Sequence, residues 1–508
     1  MNSSLIGRFS RACVVALVLA TAIVGCGSHR GDETPSFPAE LASKIDEIAA
    51  SSMTAALIPG MMVAVIDPER GSYVHAYGVS DIATGRPATI HDSVRIGSIT
   101  KTFTATAVLR LVDEGKISLD DRLDRYVDHI PYGDVITLRD LLDMRAGVWD
   151  VSTSGALFQQ LTQKTPATEW REGDFLRAIV DNPDRATPPN TRTTYSNSNF
   201  FLLGLVLEKV TGKPVREVLD DLANRYGLHE TSYPADATMR DPVSHGYAYF
   251  DENPTDVTAR TTPATFGAAG SMVSTISDLA EYAGKLGRGD LLRPETFRER
   301  ARVQDTAAPD AALPYGLGLM VNNGWLGHEG AVLGYTADVR YLPERKLTVV
   351  VAVDHYTVPP ASFTLLAPVI WSDIVGALYP GTQGEGDNLW SAPTPPVPSA
   401  DELTSQLRQT LDPNVPLAQR PLRGQGDAED PDLTTRIGSF FGKLQVEFQV
   451  KKVTRIGQSL YATADASSLG GKSPMVFPLV SSEGQWRIDR PWACAWVRMA
   501  GDSSPACK

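Results

Sequence analysis

VRIGSITKTFTA, residues 94–105, is the stretch whose reading decides the fold. Ser98 stands three residues before Lys101, and Ala105, Val108, Leu109 and Val112 then recur on one helical face until Gly115 offers a stop. The spacing predicts a helix over 98–114. Residues three apart share a helix face, so the hydroxyl and the ammonium would lie within reach of each other. The head of a buried helix also offers unpaired N–H groups and a positive dipole end at Ser98, a suitable place for an oxyanion. Serine is equally a common helix N-cap, and taken alone the pair leaves both readings open.

Two further constellations follow along the chain. In TTYSNSNFFLLG, residues 193–204, Tyr195 and Asn197 lie in a polar loop just before an apolar run. A tyrosine whose pKa is lowered by a nearby lysine can serve as general base for a serine, and an asparagine can orient both lysine and substrate. In GHEGAVLGY, residues 327–335, His328 and Gly330 precede a predicted edge strand. Glycine there allows close backbone approach, and such a strand can offer an N–H to an oxyanion and a carbonyl to a substrate.

Around these stretches the chain is 508 residues long, 42% apolar and 21% charged, enough for a large core and a further domain. The net charge of -13, with no basic run, excludes a phosphate-tracking nucleic-acid binder and points to small-molecule or peptide substrates. Arg8 and Arg11 precede an apolar run over 14–24 that ends in IVGC at Cys26. That pattern reads as an export signal over residues 1–25, too short to span a bilayer comfortably. Residues 26–37 read as a polar tether. With Cys13 and Cys26 set aside, Cys494 and Cys507 remain, and export predicts that they pair. Two cysteines without histidines at ligand spacing, and no HExxH, argue against a metal site.

The order of predicted elements gives an α+β fold. A helix to about residue 56 leads into a β-hairpin, GMMVAVIDPERGSYVHAYGVSD, and residues 116–290 read as mostly helical. Two strands over 339–354 and a closing helix over 361–379 return to the sheet. The expected first domain, residues 38–380, is thus an antiparallel sheet flanked by helices, an α/β sandwich, with an all-helical subdomain inserted. Residues 381–400, rich in Gly and Pro, read as a linker. Residues 401–508 read as a small α+β domain: Leu403, Leu407 and Leu411 mark a helix, and 444–450, 459–465, 475–480 and 485–499 read as strands. Trp486, Trp492 and Trp496 read as core.

In this order and spacing, SxxK, YxN and HxG resemble the serine penicillin-recognising hydrolases of the class C β-lactamase and D-alanyl-D-alanine carboxypeptidase type. LVDEGKISLDDRLDRYV, ITLRDLLDMRAGV, AAGSMVSTISDLAEY and YGLGLMV are further stretches of that kind. The resemblance covers about residues 40–380. It implies a cofactor-free serine hydrolase in which Ser98 is acylated, Lys101 tunes and shares its proton, and Tyr195 is general base and then acid. Asn197 would orient substrate, His328 would stand in for the third-motif cation, and the N–H groups of Ser98 and Ala331 would form the oxyanion hole. IVGC resembles a bacterial lipobox, which implies a lipid on Cys26 and anchorage at the outer face of the cytoplasmic membrane. Residues 401–508 resemble the small secreted mycobacterial antigens with a cystatin-like, NTF2-like fold.

Substrate is where this chain departs from that pattern. Peptidases of this type that take a free carboxylate commonly carry small hydroxyl residues at the third motif, some with an arginine after the YGLGL-like stretch; here Glu329, Ala331 and Met320 stand there. Glu329 would repel a substrate carboxylate unless its side chain points away or is paired. The expected activity is hydrolysis of a D-amino-acid peptide or a small ester. A second reading is a tethered binding module that has kept the fold and lost the rate, against which stand competent residues at all three motifs.

Overall fold

The computed structural model describes residues 35–154, 157, 170, 173–249, 253–303, 314–356, 366–383, 395–456, 459–469, 471–482, 484–500, 502 and 504–507. The expected signal, most of the tether with Cys26, and most of the linker lie outside the described residues.

The main sheet begins with the expected hairpin, β1 (Gly60–Asp67) and β2 (Gly71–Asp81), turned at Pro68, Glu69 and Arg70. Chain order then gives β3 (Arg86–Pro87), β4 (Tyr315–Gly316), β5 (Leu319–Asn322), β6 (Trp325–Val332), β7 (Tyr335–Leu342) and β8 (Leu347–Val353). Across the sheet the order is β3-β2-β1-β8-β7-β6-β5-β4, so both ends of the domain meet where β1 pairs antiparallel with β8, Met61 opposite Val353. The unbroken apolar run of β8 follows from burial on both faces. Val349, Val351 and Val353 face one side, where α1 (Ala39–Ala56) packs; Val350 and Ala352 face the other.

The second face is covered by α2 (Thr100–Asp113), α3 (Asn197–Thr211) and α4 (Ile276–Arg288). The closing helix α5 (Leu366–Leu378) joins α1 on the first face; residues 361–365 of its expected span lie outside the described residues. The inserted region is less helical than expected. No α-helix occupies 226–262 among the described residues, and short strands at Tyr247–Tyr249 and Pro254–Asp256 stand there. The β4–β5 end of the sheet also lay unread in YGLGLMV.

Residues 400–507 have their own core. Helices α6 (Ala400–Leu411) and α7 (Leu433–Leu444) pack on a five-stranded sheet that includes Glu447–Ile456, Ser459–Ser468, Gly471–Ser482 and Gln485–Ile488. Leu403, Leu407 and Leu411 are buried there with Trp486, Trp492 and Trp496. The expected strand over 485–499 is corrected: it ends at Ile488, and α8 (Arg490–Met499) follows. Asp489 caps that helix by accepting from the Trp492 N–H at 2.9 Å, and Trp492, Trp496 and Val497 fall on one helical face. A disulfide joins Cys494 of α8 to Cys507. Tyr461 of the small sheet is buried in the cluster formed by α1 and α5, which ties the C-terminal residues to the first face of the large sheet.

Candidate active site

Ser98 lies in a 3-10 turn, Gly97–Ile99, that runs directly into α2. The turn is fastened on both sides: Val94–Arg95 pairs with Val273–Ser274, the Ile96 N–H donates to Met272 O at 3.1 Å, and the Met272 N–H donates to Thr100 Oγ1 at 3.1 Å. The expected helix therefore starts two residues late, and Ser98 projects from its tight lead-in turn. Two glycines let strand β6 lie against this turn. A Cβ at Gly330 would fall 2.0 Å from Ile96 O, and one at Gly97 would fall 2.5 Å from the Ala331 nitrogen. Gly97 also has a φ of +50°, a left-handed conformation in which a Cβ is strained. His328 and Gly330 thus sit within β6 rather than before a strand, in the part of it that pairs with β7 alone and leaves its other edge facing the Ser98 turn.

Lys101, the second residue of α2, is completely buried. Its Nζ is 2.9 Å from Ser98 Oγ, 2.7 Å from Asn197 Oδ1 and 2.8 Å from Ala269 O. Tyr195 Oη donates to Ser98 Oγ at 2.8 Å, and Lys101 Nζ lies 4.9 Å from the Tyr195 ring. Lys101 and Tyr195, from two sequence motifs, thus meet on the Ser98 hydroxyl, and Asn197 holds the lysine from behind.

Burial decides the charges. It pulls Lys101 down from 10.5 to about 7, opposed by the charge of Asp150. It pushes the Tyr195 phenol above its ordinary value; the Ser98 hydrogen bond opposes this, and Glu329 and Asp150 add to it. The expectation of a lowered tyrosine is therefore reversed, because loss of solvent dominates at this buried phenol. His328 is corrected in the same way. Burial, aided by the Lys101 charge, lowers it to about 3, so it is no cation. Its Nδ1 contacts the Glu329 carbonyl, which can only accept, and its Nε2 then accepts from Tyr315 Oη at 2.8 Å. Glu329 is raised to about 7 by burial and by Asp338, with Arg340 opposing.

Sequence reasoning missed Gly97, Ala269, Tyr315 and Asp150. Asp150 Oδ2 accepts from Asn197 Nδ2 at 3.3 Å, behind the amide that faces Lys101. Ala269 acts through a carbonyl, which leaves no mark in sequence. Asp150 lay two residues beyond the recognised stretch ITLRDLLDMRAGV, which ends at Val148. Among the described residues no group of three or more His, Cys, Asp or Glu side chains is arranged to hold a metal, and no helix is long and apolar enough to cross a membrane.

Chemically, the arrangement is an activated hydroxyl. Neutral lysine has two N–H groups and one lone pair; Asn197 Oδ1 and Ala269 O take the two donors, which leaves the lone pair toward Ser98 Oγ.

A family model described as Beta-lactamase matches residues 45–364, and one described as low molecular weight antigen MTB12, C-terminal domain, matches residues 396–504. Among curated proteins, Protein flp of Staphylococcus aureus (strain MW2) is 28% identical over 184 residues, which is 35% of each chain. The chain thus spans about a third of the length of these curated relatives. Among solved structures, the D-stereospecific amidohydrolase from Streptomyces sp. is 26% identical with a TM-score of 0.54, covering 61% of this chain and 94% of its own. The penicillin binding protein from Bacillus halodurans, 23% identical with a TM-score of 0.55, covers 68% of this chain and 100% of its own, and bears on the fold alone.

Proposed function

The chain belongs to the β-lactamase family, and from that premise we propose that it hydrolyses the amide bond of a D-amino-acid peptide, or a small ester, through an acyl-enzyme on Ser98. The observation that carries this reading is the position of Ser98 Oγ, 2.9 Å from Lys101 Nζ and 2.8 Å from Tyr195 Oη. As Oγ attacks the carbonyl carbon, its proton passes to Lys101, a buried amine held near neutrality. Tyr195, kept protonated by burial, gives its proton to the leaving nitrogen or oxygen as the acyl bond breaks. Water then attacks the ester, and the same two groups carry the protons back. The N–H groups of Ser98 and Ala331 are the assigned oxyanion donors, supported by the close approach of β6 to the Ser98 turn.

The likeness to a D-stereospecific amidohydrolase supports the choice of substrate handedness. Glu329 beside the third motif weighs against substrates ending in a free carboxylate and so favours amides and esters over carboxypeptidase substrates. IVGC supports export and lipidation at Cys26, with the enzyme held at the outer face of the cytoplasmic membrane. The match to the MTB12 C-terminal domain supports a secreted-antigen-like module over residues 401–508, with residues 38–380 as the hydrolase domain.

Labelling with a fluorophosphonate or a fluorescent penicillin tests the acyl-serine. Wild type is expected to form a covalent adduct that Ser98→Ala abolishes. An adduct that persists in Ser98→Ala, or none in wild type, overturns the reading. Turnover of D-amino-acid p-nitroanilides, p-nitrophenyl esters and a D-Ala-D-Ala peptide then ranks the substrates.

A further inference from the structure

Asn197 presents its two amide ends to opposite charges. Oδ1 accepts from Lys101 Nζ at 2.7 Å, while Nδ2 donates to Ser152 Oγ at 3.1 Å and to Asp150 Oδ2 at 3.3 Å. The other oxygen of Asp150, Oδ1, accepts the Ser152 N–H at 3.0 Å. This segment is fastened to the start of α3 by the residue after Asn197: Ser198 Oγ accepts from the Val151 N–H at 3.1 Å and donates to Trp149 O at 2.7 Å. Asp150 and Asn197 are therefore fixed to each other through adjacent backbone.

An amide turned end for end has nearly the same shape, so packing alone does not choose its orientation. Turned, it would point an NH2 at the lysine and its oxygen at a carboxylate. The Asp150 carboxylate behind Nδ2, which can only accept, opposes that, whereas the Ser152 hydroxyl could serve either end. The charge matters as much as the orientation. When Ser98 gives up its proton, an ammonium forms at a completely buried Nζ. The Asp150 carboxyl one amide away is raised by burial, opposed by its Ser152 hydrogen bonds and by the Lys101 charge, and as a carboxylate it stabilises that ammonium in the transition state without reorganisation.

We propose that Asp150 is a positioning residue for the reaction: it holds the Asn197 oxygen toward Lys101 and supplies the counter-charge for the ammonium that forms when Ser98 is deprotonated. This rests on the reading that Ser98 is acylated. The other groups around Lys101 do not duplicate the role. From α3's lead-in, Tyr195 is a neutral phenol; from β6, His328 is a neutral imidazole, and Glu329 acts on Tyr195 and Tyr315; Arg340 is held by Asp338, and Arg300 by Thr106 and Thr102. Asp150 is the carboxylate whose charge acts on Lys101.

The test is Asp150→Asn, read on whichever p-nitrophenyl ester or p-nitroanilide wild type turns over. We expect kcat to fall about ten- to a hundredfold with KM within about twofold, and the acid limb of the kcat/KM profile to move down by about one pH unit, because a lysine without its counter-charge loses its proton more easily. Ser152→Ala, which removes an acceptor and no charge, is expected to leave the limb in place. Asp150→Ser, which keeps an acceptor for the Ser152 N–H, is read in the same way should the asparagine variant fail to fold. An unchanged kcat and limb overturns the proposal, and so does a change confined to KM, which would make Asp150 a substrate contact. Fluorophosphonate labelling separates the two layers: slowed but complete labelling of Ser98 in Asp150→Asn supports the proposal, whereas wild type without a Ser98 adduct fails the acyl-serine reading itself.

Discussion

Replacing Lys101 by methionine should abolish turnover and change stability by an amount that depends on pH. The unfolded lysine titrates at its ordinary 10.5, and the buried one at about 7. Between those values the unfolded chain binds more protons than the folded one, so wild-type stability rises with pH across that window and is lowest at and below pH 7. At about 1.4 kcal/mol per pH unit, burying the ammonium destabilises the fold by about 4 kcal/mol at pH 7 and by only about 1 kcal/mol at pH 9.5. Methionine removes that penalty. It also strips a donor from Asn197 Oδ1 and Ala269 O, a loss of about 1–3 kcal/mol per buried acceptor that does not depend on pH. Comparing wild type and Lys101→Met by urea unfolding at both pH values cancels the constant part. The variant's stability relative to wild type should be about 3 kcal/mol more favourable at pH 7 than at pH 9.5. A relative stability that is the same at both, within about 1 kcal/mol, would refute a depressed lysine and with it the assignment of Lys101 as base.

Glu329→Gln should lower KM about tenfold at pH 8 for a peptide with a free terminal carboxylate and leave its amide counterpart unchanged. The gain should fade at pH 6, because the wild-type carboxyl, raised to about 7, is then already protonated. Gly330→Ala places a Cβ 2.0 Å from Ile96 O; it should force β6 away from the Ser98 turn and reduce kcat/KM about a hundredfold. Matched turnover assays and circular dichroism would show whether the folded variant is inactive, and wild-type activity in it would contradict the required approach.

What the sequence disclosed about the site follows from how local each feature is. Ser98 and Lys101 are legible together because three residues of helix bring two side chains to one face, a rule that needs no knowledge of the rest of the fold. Tyr195 and Asn197 are legible only through the company of the other motifs. Ala269 was invisible, since it serves the site with a backbone oxygen 168 positions away from Lys101. His328 was misread for another reason: an imidazole in sequence carries its solution pKa, whereas this one is buried against Tyr315 and contacts a carbonyl that fixes its neutral tautomer. The same distinction explains the C-terminal correction. Tryptophans at 492 and 496 fit an alternating strand and a helix equally well, and the deciding mark was Asp489 before Arg490-Pro491, a helix cap with a proline in the first turn.

The neutral histidine and the raised glutamate bear on substrate more than on rate. The cations near the site are committed: Lys101 to Ser98, Asn197 and Ala269, Arg340 to both oxygens of Asp338, and Arg300 to Thr106 and Thr102. Two carboxyl groups, Asp150 and Glu329, both act on the Tyr195 phenol. Among the described residues, a substrate carboxylate entering beside Ala331 would therefore meet negative charge while these guanidiniums stay paired elsewhere, and an uncharged amide or ester meets no such barrier. The chemistry at Ser98 is indifferent to this, since both substrate types present the same carbonyl. Discrimination must then appear in KM and grow as Glu329 ionises above about pH 7, whereas a fault in the Ser98–Lys101–Tyr195 cluster would appear in kcat for every substrate alike.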